Sequence, residues 1–455
     1  MTDSPSKRGA ASRKAAPVTP GGESGAPRLG VLLVGMGAIS TTLVAGVAAV
    51  RQGLARPYGA LTQLALMPPE GGRGPQVPLA EYLHLTKLDD IVFGGWDINP
   101  GTAYDLAAAS GVLEPQLLQA VRPALDAIQP MPGIHDPRYL RRTEGKRVKA
   151  ETNKFEQAAA LRADIRDFKK RHNTSQIVVM WCGSTEVFLP VGPAHQSVRI
   201  FETAMRENEP TIAPSMIYAY AALQEGCSFV NATPTLTVDL PVMKELAEKN
   251  GCPISGKDLK TGQTLLKTIL APGIRQRMLG LAGWFSTNIL GNGDGATLDD
   301  PAAFRSKEES KLSALGHILQ PELYPELYGK LSHVVKINYY PPRGDNKESW
   351  DNIDIVGWLG YPMQIKVNFL CRDSILAAPL LLDLALLSAA AQRGGESGVL
   401  EWLGFYFKSP QTLQGKPEHD LAVQYTRLQD AFRALAPKLE KPQPAKVSGA
   451  RTVRV

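Results

Sequence analysis

The chain has 455 residues, 44% of them hydrophobic and 21% charged, which describes a globular protein too long for one ordinary core. Its formal net charge is +6, but part of that charge lies in the two tails. The remaining lysines are not interleaved with aromatic residues, which argues against a nucleic-acid partner. No run of about eighteen apolar residues is present, so we expect no membrane partner either.

Residues 1–27 and 437–455 are predicted to be disordered tails, because they contain few large apolar residues. The first tail is basic but lacks the apolar segment of a secretory signal, which favours a cytoplasmic protein. The four cysteines and seven histidines show no zinc-binding spacing, and the cysteines form no disulfide framework. We therefore expect a protein with neither a zinc site nor structural disulfides.

The first ordered elements are predicted as a strand over 29–34 and a helix that ends near Arg51, with a glycine turn between them. Gly35 permits the tight bend, and Gly37 lets the backbone approach a pyrophosphate at the positive end of the helix. Ser40 replaces the third glycine of the GxGxxG motif, so a plain strand–helix loop is the alternative. The residues assigned to a dinucleotide cofactor are Gly35, Gly37, Ala38, Ile39 and Ser40.

Two further strands are predicted over 91–97 and 175–182, with helical segments between them. Alternating strands and helices predict an α/β fold with a Rossmann-like, doubly wound parallel sheet. The second strand ends in Asp97, a carboxylate that could bind ribose hydroxyls. Asp97 lies about sixty residues after the turn, whereas roughly twenty is usual. Either residues 52–90 form a long insertion or Asp97 is structural, and the spacing alone favours the structural role.

Beyond about residue 240 the composition changes, which suggests a second domain. Gly, Asn, Asp and Lys become frequent, and three segments are predicted to be turn-like: 254–264, 287–295 and 341–347. Residues 375–391 then predict a buried helix, since Pro379 and Asp383 interrupt the apolar run. We divide the chain into a nucleotide-binding domain (28–245), an inserted α+β catalytic and oligomerisation domain (246–373) and a C-terminal segment that completes the first domain (374–436).

The second domain is rich in amides and lysines. Asn288, Asn292 and Asp294 share a glycine-rich segment suited to a polyhydroxyl ligand or a cation. Lys307 and Lys311 lie one helical turn apart and share a face, which is typical of a solvated surface. In a pocket, however, neighbouring ammonium groups depress one another's pKa, so that one lysine can transfer protons while another binds phosphate.

A series of short motifs runs through the chain in a fixed order. They are GGWDIN (94–99), VMWCGSTE (179–186), PS (214–215), EGC (225–227), NATP (231–234), SGKDLKTGQT (255–264), NILGNGDG (288–295), SKEESK (306–311), HVVKI (333–337), GDNK (344–347), DS (373–374) and APL (378–380). Taken together, over residues 28–435, these motifs resemble those of the myo-inositol-1-phosphate synthase family.

The resemblance implies an isomerase that borrows a redox cofactor. In that family, bound NAD oxidises C5 of D-glucose 6-phosphate, an enolate closes the ring onto C1, and the same NADH reduces C5 again. The product is 1D-myo-inositol 3-phosphate, and the reaction is the first step of inositol biosynthesis. Proton shuttling and carbonyl polarisation in such a sequence require positioned cations, and the phosphate requires further ones.

The resemblance also assigns residues. Proton transfer and oxyanion stabilisation are assigned to Lys307, Lys336 and Lys408, with Asp294 and Asp373 orienting these lysines or the sugar. Substrate contacts are assigned to Lys311 (the phosphate), Asn288, Leu290 and Lys260. Further cofactor contacts are assigned to Asp97, Ser184, Thr185 and Asp258. On this assignment, Lys336→Ala is expected to abolish turnover while leaving NAD binding nearly intact.

Three departures from the family pattern leave the cation requirement open. The cofactor turn is GMGAIST, Lys257 stands where an acidic residue is common, and no acidic pair follows Lys311. Family members use a divalent or a monovalent cation, and we name no metal ligand. The resemblance further implies a homotetramer whose inserted domains pair their sheets across subunits.

Two other functions remain open from the sequence. One is an NAD-dependent sugar-phosphate dehydrogenase that does not close a ring. The other is a non-enzymatic NAD-sensing protein on the same fold. The set of lysines argues against the sensor, because a sensor has little use for several clustered ammonium groups.

Overall fold

The fold is organised around a seven-stranded sheet in the computed structural model, which describes residues 28–69, 74–141, 143–291 and 314–440. Its strands run in the order β13-β8-β7-β6-β1-β4-β5, and every neighbouring pair is parallel. The strands are β1 (Arg28–Val34), β4 (Ile91–Asp97), β5 (Met131–Pro132), β6 (Thr174–Trp181), β7 (Ser228–Asn231), β8 (Pro253–Ser255) and β13 (Gly398–Val399). The predicted Rossmann-like parallel sheet is confirmed.

Both faces of this sheet are covered by helices. In β1, Val31 and Leu33 pack into one apolar cluster while Leu32 and Val34 pack into the other, so the strand is apolar throughout. One face carries α1 (Ala38–Arg51), α4 (Ala103–Ser110), α5 (Pro115–Asp126), α12 (Asp373–Arg393) and α13 (Leu421–Glu440). The other carries α6 (Lys154–His172), α7 (Val198–Arg206), α8 (Pro214–Gln224) and α9 (Pro241–Asn250).

The interval before Asp97 is an insertion that lies beside the sheet. Because β4 pairs directly with β1, Leu29 opposite Ile91, the strand that ends in Asp97 is the immediate neighbour of the first strand. The sixty-residue spacing is therefore no obstacle to the Rossmann topology. The insertion contains α2 (Leu61–Leu64), β2 (Leu66–Met67), β3 (Val77–Pro78) and α3 (Leu79–Tyr82).

A second, four-stranded sheet follows, in the order β10-β9-β11-β12. The β10–β9 pair is parallel, and the other two pairs are antiparallel. Helix α10 (Gly262–Gln276) and the short helix α11 (Pro325–Tyr328) contact β9, and residues 314–319 are helical. The strands are β9 (Gly280–Leu290), β10 (Ser332–Tyr339), β11 (Asn346–Val356) and β12 (Pro362–Arg372).

The predicted buried helix over 375–391 is confirmed. One described helix, α12, is long and apolar enough to span a membrane, but 78% of its apolar window is buried inside the protein, as in a core helix. Asp383 in its middle is buried and accepts hydrogen bonds from Leu61 N and from both the N–H and the hydroxyl of Thr62. The polar interruption in the run thus anchors α2.

Three sequence predictions need correction. The predicted turn-like segments contain regular structure, because 287–290 close strand β9, 346–347 open β11 and Gly262 opens α10. The proposed boundary at residue 246 is wrong, since β8 belongs to the first sheet. The tail predicted from residue 437 begins too early, because α13 continues to Glu440. Residues 1–27 and 441–455 lie outside the described residues, and the rest of the division into domains stays a prediction.

Candidate active site

The turn after β1 has the geometry of a dinucleotide-binding turn. Gly35 has a φ of +85°, and a Cβ there would lie 2.8 Å from Gly183 Cα, so only glycine fits. Gly37 is the N-cap of α1 without a side-chain cap, and a Cβ there would meet nothing within 4 Å. The turn therefore presents the N-terminal N–H groups of α1 to open space, as anion binding requires.

Ser40 shapes this turn from the inside. Its hydroxyl is buried and donates to Gly35 O at 2.7 Å. Ala38 and Ile39 lie in the first turn of α1. Of the predicted cofactor residues in the turn, Gly35 and Gly37 face the open side, whereas Ser40 supports their conformation.

Asp97 is tied directly to the turn. One carboxylate oxygen accepts from Met36 N at 2.6 Å, and the other accepts from Asn99 N at 2.8 Å and from its amide at 3.1 Å. Asp97 therefore has the structural role that the spacing favoured. It also lines a cavity of about 350 Å³ together with Gly35, Gly37 and Ser184. Its oxygens can accept further hydrogen bonds, so both roles are compatible.

The loop after β6 completes this cavity and contains a residue that the sequence analysis did not assign. Ser184 lines the cavity, while Thr185 is buried behind it. Glu186 is fully buried and accepts from Ser215 N at 3.0 Å and Ser215 Oγ at 2.5 Å, at the N-terminus of α8. Burial raises the pKa of Glu186 to about 7. This carboxyl group fixes the loop to α8.

A second group of polar side chains is assembled by the segment 256–263, which follows β8. Asp258 forms a buried ion pair with Lys408, with Oδ1 and Nζ 2.9 Å apart. Lys408 N also donates to Asp258 O at 2.6 Å. Asp258 was assigned to the cofactor and Lys408 to catalysis, and the structure brings the two together.

Thr261, three residues after Asp258, binds Asp373, and Asp373 in turn pairs with a second lysine, Lys347. Thr261 Oγ1 donates to Asp373 Oδ1 at 2.7 Å, and Lys347 Nζ lies 3.0 Å from Asp373 Oδ2. A Cβ on Gly262 would lie 3.7 Å from Lys347 Nζ. Lys347 is buried and was missed by the sequence analysis, although it belongs to the GDNK motif. Asp373 was predicted to orient Lys307, Lys336 or Lys408, or the sugar; in the structure it pairs with Lys347.

Asn288 and Leu290 lie on the same face of the four-stranded sheet as Lys347. Leu290 pairs with Lys347 across β9 and β11, and Asn288 pairs with Ser349 two positions away. Residues two apart on a strand share a face. Asn288 donates its amide to Gln263 of the same 256–263 segment. The two predicted substrate residues therefore lie at the lysine centre, by which we mean Asp258, Lys408, Asp373, Lys347 and Asn288.

Lys336 does not join this centre. It pairs with Thr287 on the opposite face of the sheet, is exposed, and lies 5.9 Å from the ring centroid of Phe285. Lys336 and Lys408 were assigned to the same chemistry, but strand alternation directs Lys336 and Asn288 to opposite faces of the sheet, so Lys336 lies away from the lysine centre. Lys347 occupies the expected place.

Lys260 also lies apart from the centre. Its ammonium group donates to Gln424 of α13 and lies 5.6 Å from the ring centroid of Phe405. Burial lowers the pKa of Lys260 to about 7. The structure thus places this predicted substrate residue against the C-terminal helix, where it contacts protein groups.

Three predicted residues, Asp294, Lys307 and Lys311, lie outside the described residues. Within the described ranges, no group of three or more His, Cys, Asp or Glu side chains could hold a metal ion. The choice between a divalent and a monovalent cation therefore stays a prediction.

The dinucleotide cavity and the lysine centre lie along the same edge of the large sheet. The cavity is at the carboxyl ends of β1, β4 and β6. The segment 256–263 follows the carboxyl end of β8 and is joined to the end of β7, since Asp258 N donates to Thr233 O and Leu259 N to Ala232 O. Parallel α/β sheets bind ligands along this edge. A buried pair of ammonium groups there can stabilise a developing oxyanion and hold a proton for transfer.

The chain is similar over most of its length to inositol-phosphate synthases. An NAD-binding family model described as myo-inositol-1-phosphate synthase matches residues 29–433. Inositol-3-phosphate synthase 1 of Bacteroides thetaiotaomicron is 51% identical over 409 residues, covering 89% of this chain and 95% of that protein. Inositol-3-phosphate synthase of Spirodela polyrhiza is 34% identical, covering 90% and 87%. The crystal structure of the Caenorhabditis elegans inositol-3-phosphate synthase has a TM-score of 0.83 at 29% identity, covering 90% and 86%.

Proposed function

The chain belongs to the myo-inositol-1-phosphate synthase family, and from this premise we propose that it converts D-glucose 6-phosphate into 1D-myo-inositol 3-phosphate with bound NAD. The observation that carries the proposal is the position of a dinucleotide turn and a buried lysine centre along one sheet edge. A turn alone would suit any dehydrogenase. The lysine centre supplies the cations that enolisation and ring closure require.

The residues of the cavity fit an NAD cofactor. Gly35 and Gly37 leave room for a pyrophosphate at the N-terminus of α1, and Asp97 and Ser184 line the space beside them. Bound there, NAD would supply the reversible hydride chemistry that oxidation and re-reduction of the sugar require. The chain's own contribution at this end is to hold and orient the cofactor through the turn and the Glu186-anchored loop.

Lys347 and Lys408 are the described residues that we assign to the chemistry. Each ammonium group is buried and pairs with a carboxylate, Lys347 with Asp373 and Lys408 with Asp258. Their N–H groups can donate to the sugar oxygens on which negative charge develops during oxidation at C5 and attack at C1. Lys347 replaces Lys336 in the catalytic set. Lys307 keeps its predicted role in proton transfer and Lys311 its role at the phosphate.

A single incubation tests the function and separates it from both alternatives. Purified protein is mixed with D-glucose 6-phosphate and substoichiometric NAD, and inositol phosphate and NADH are both measured. We expect inositol phosphate in excess of the NAD supplied, without net NADH. Net NADH without inositol phosphate would identify a dehydrogenase. NAD binding without any product would identify a sensor.

We further propose that the enzyme is a cytoplasmic homotetramer whose subunits pair through the exposed face of the four-stranded sheet. Large apolar side chains on that face support this assembly: Phe285 is 38% exposed, Trp350 44% and Leu370 62%. Exposed apolar patches of this kind are typical of subunit interfaces. The turn between β11 and β12 adds Trp358 and Tyr361, which are 86% and 68% exposed.

A further inference from the structure

Asp351 lies in the middle of β11, and its carboxylate is enclosed between the sheet and α10. Only 2% of the residue is exposed. One oxygen accepts from Trp284 Nε1 at 2.8 Å and from Ser286 Oγ at 2.5 Å, and the other accepts from Gln263 Nε2 at 3.0 Å. These three donors are neutral groups. The carboxylate therefore acts here as a hydrogen-bond acceptor that organises its neighbours.

Gln263 links Asp351 to Asn288 and sets which group of the Asn288 amide faces it. The carboxylate of Asp351 accepts from Gln263 Nε2, and the same nitrogen also donates to Thr287 O at 3.2 Å. Gln263 must therefore turn its NH₂ group toward both acceptors and its carbonyl oxygen toward Asn288. Asn288 Nδ2 donates to that oxygen. The hydrogen bonds from Asn288 through Gln263 to Asp351 thus have one permitted direction.

The direction of these hydrogen bonds determines whether Asn288 presents a donor or an acceptor to a ligand. Because Nδ2 donates to Gln263, the amide of Asn288 is held with Nδ2 toward Gln263 and Oδ1 on its other side, where Oδ1 can accept a hydrogen bond from a ligand. Its donor among the described residues is Ser349 Oγ, at a long 3.4 Å. Asn288 shares its sheet face with Lys347, beside the 256–263 segment. An acceptor at this place suits a sugar hydroxyl group.

We propose that Asp351 is a positioning residue that fixes Asn288 Oδ1 as the acceptor for a hydroxyl group of the substrate. The inference rests on the proposed function, because the hydroxyl group is that of the sugar phosphate. Asp351 itself touches no substrate. It acts through Gln263, some distance from the reacting atoms.

Asp351→Asn is the direct test, because it keeps the shape of the side chain and adds a donor. Because Trp284 Nε1 can only donate, the new amide directs its oxygen toward Trp284 and Ser286 and its NH₂ group toward Gln263. Gln263 then faces a second donor in place of its acceptor, and its hold on Asn288 weakens. We expect the KM for D-glucose 6-phosphate, and its Kd measured by calorimetry on the NADH-bound protein, which cannot oxidise the sugar, to rise about tenfold, as for one lost hydrogen bond. The expected change in kcat is less than about threefold.

Trp284→Phe is the matched structural control. It removes another donor to the same carboxylate but leaves the Asp351–Gln263 hydrogen bond in place. We expect a lower melting temperature with an unchanged KM. If Trp284→Phe raises the KM as much as Asp351→Asn does, the carboxylate serves only the fold and the inference is overturned.

A double variant, Asp351→Asn with Gln263→Glu, restores the direction by moving the carboxylate to position 263. The two changes together conserve the charge, and the relocated carboxylate can accept from both Asn288 and the new amide at position 351. It also faces Thr287 O, and the repulsion between these two acceptors lowers the melting temperature. We expect the KM to return to within about threefold of wild type although stability falls further.

The outcomes distinguish this inference from the proposed function. A wild-type protein that makes no inositol phosphate overturns both. A wild-type protein that turns over, with an Asp351→Asn variant of unchanged KM and Kd, overturns only the inference. If Asp351→Asn does not fold, the double variant decides: a KM near wild type supports the inference, and a raised KM or a second failure to fold overturns it.

Discussion

Lys347 and Lys336 lie on opposite faces of one sheet, and they form a matched pair for substitution. Lys347 is buried against Asp373, whereas Lys336 is exposed over Phe285. We expect Lys347→Ala to lower kcat/KM at least about 100-fold, because a positioned ammonium group is lost. Lys336→Ala should lower it less than about threefold. The measurement is steady-state inositol phosphate formation, with NAD affinity as a check on folding.

The reverse result, a large loss for Lys336→Ala and a small one for Lys347→Ala, would return Lys336 to the catalytic set. The sequence alone could not separate the two lysines. Both lie in motifs that resemble those of the family. The GDNK segment was predicted to be a turn, and a turn, unlike a strand, does not indicate which face of a sheet a side chain occupies. Only the pairing of Leu290 with Lys347 and of Thr287 with Lys336 assigns each lysine to a side.

Glu186 gives a pH-dependent prediction. Its folded-state pKa is raised to about 7 from an ordinary value of 4.5, so the folded protein binds more protons between these values. The stability that the protonated group contributes is therefore present below about pH 4.5 and lost as the pH rises through 7. Glu186→Gln cannot ionise. Its melting temperature relative to wild type should rise by at least about 2 °C between pH 5 and pH 8.

The difference between the two proteins isolates Glu186, since other titrating groups such as Asp383 are common to both. Thermal unfolding across the pH range, followed by circular dichroism, is the measurement. A difference in melting temperature that is constant with pH would contradict the raised pKa and its cause, which is burial of the carboxyl group between its loop and α8.

At the scale of elements, the attachment of α2 to α12 depends on one carboxylate. Asp383→Ala would leave three donors without their acceptor, two buried ones on Thr62 and a half-buried one on Leu61. Each such group costs about 1–3 kcal/mol, so we expect the free energy of unfolding to fall by about 3 kcal/mol or more. Denaturant unfolding measures this loss, and hydrogen exchange should show faster exchange at residues 61–64.

Ile375→Ala is the control on the same helix, at a position that is 42% exposed. It should change the free energy of unfolding by less than about 1 kcal/mol. An equal fall in the free energy of unfolding for the two variants would indicate that α12 tolerates neither change. The contacts of Asp383 would then contribute no more to stability than an exposed side chain of the same helix.

The strands of the two sheets differ in how accurately the sequence predicts their positions. Three strands of the large sheet, β1, β4 and β6, contain apolar runs because both faces are buried, and their positions were predicted almost to the residue, as for Ile91–Asp97. The shorter strands β5, β7, β8 and β13 were not predicted. The strands of the small sheet have one exposed face and mix polar and apolar residues. In β11, Lys347, Ser349 and Asp351 occupy the buried positions, so the usual alternation is inverted and the strand was not recognised.

At the scale of the molecule, the sequence did not predict which distant residues come together to form the site. Asp258, Thr261 and Gln263 each hold a different distant partner: Lys408, Asp373 and Asn288. Those partners come from three separate parts of the chain. The motif series named most of them, but their distances follow from how the 256–263 segment runs between the two sheets. Composition and spacing carry no information on that path.

The exposed face of the small sheet is the surface through which we expect the subunits of the tetramer to pair. Trp350 is 44% exposed and lies in the middle of this face, opposite Thr287. If subunits pair there, Trp350→Glu places a charge in an apolar interface, and removing a charge from water without a partner is strongly unfavourable. We expect light scattering coupled to gel filtration to show a tetramer for wild type and a smaller species for Trp350→Glu.

Tyr58→Glu is the matched control, because Tyr58 is 75% exposed but belongs to the insertion before β4 rather than to the small sheet. It should leave the tetramer intact. Since β9 and β11 carry both the interface on one face and Asn288 and Lys347 on the other, loss of the tetramer should also lower kcat/KM. A Trp350→Glu protein that stays tetrameric would place the subunit interface elsewhere, and a monomeric protein with full activity would show that the lysine centre is complete within one chain.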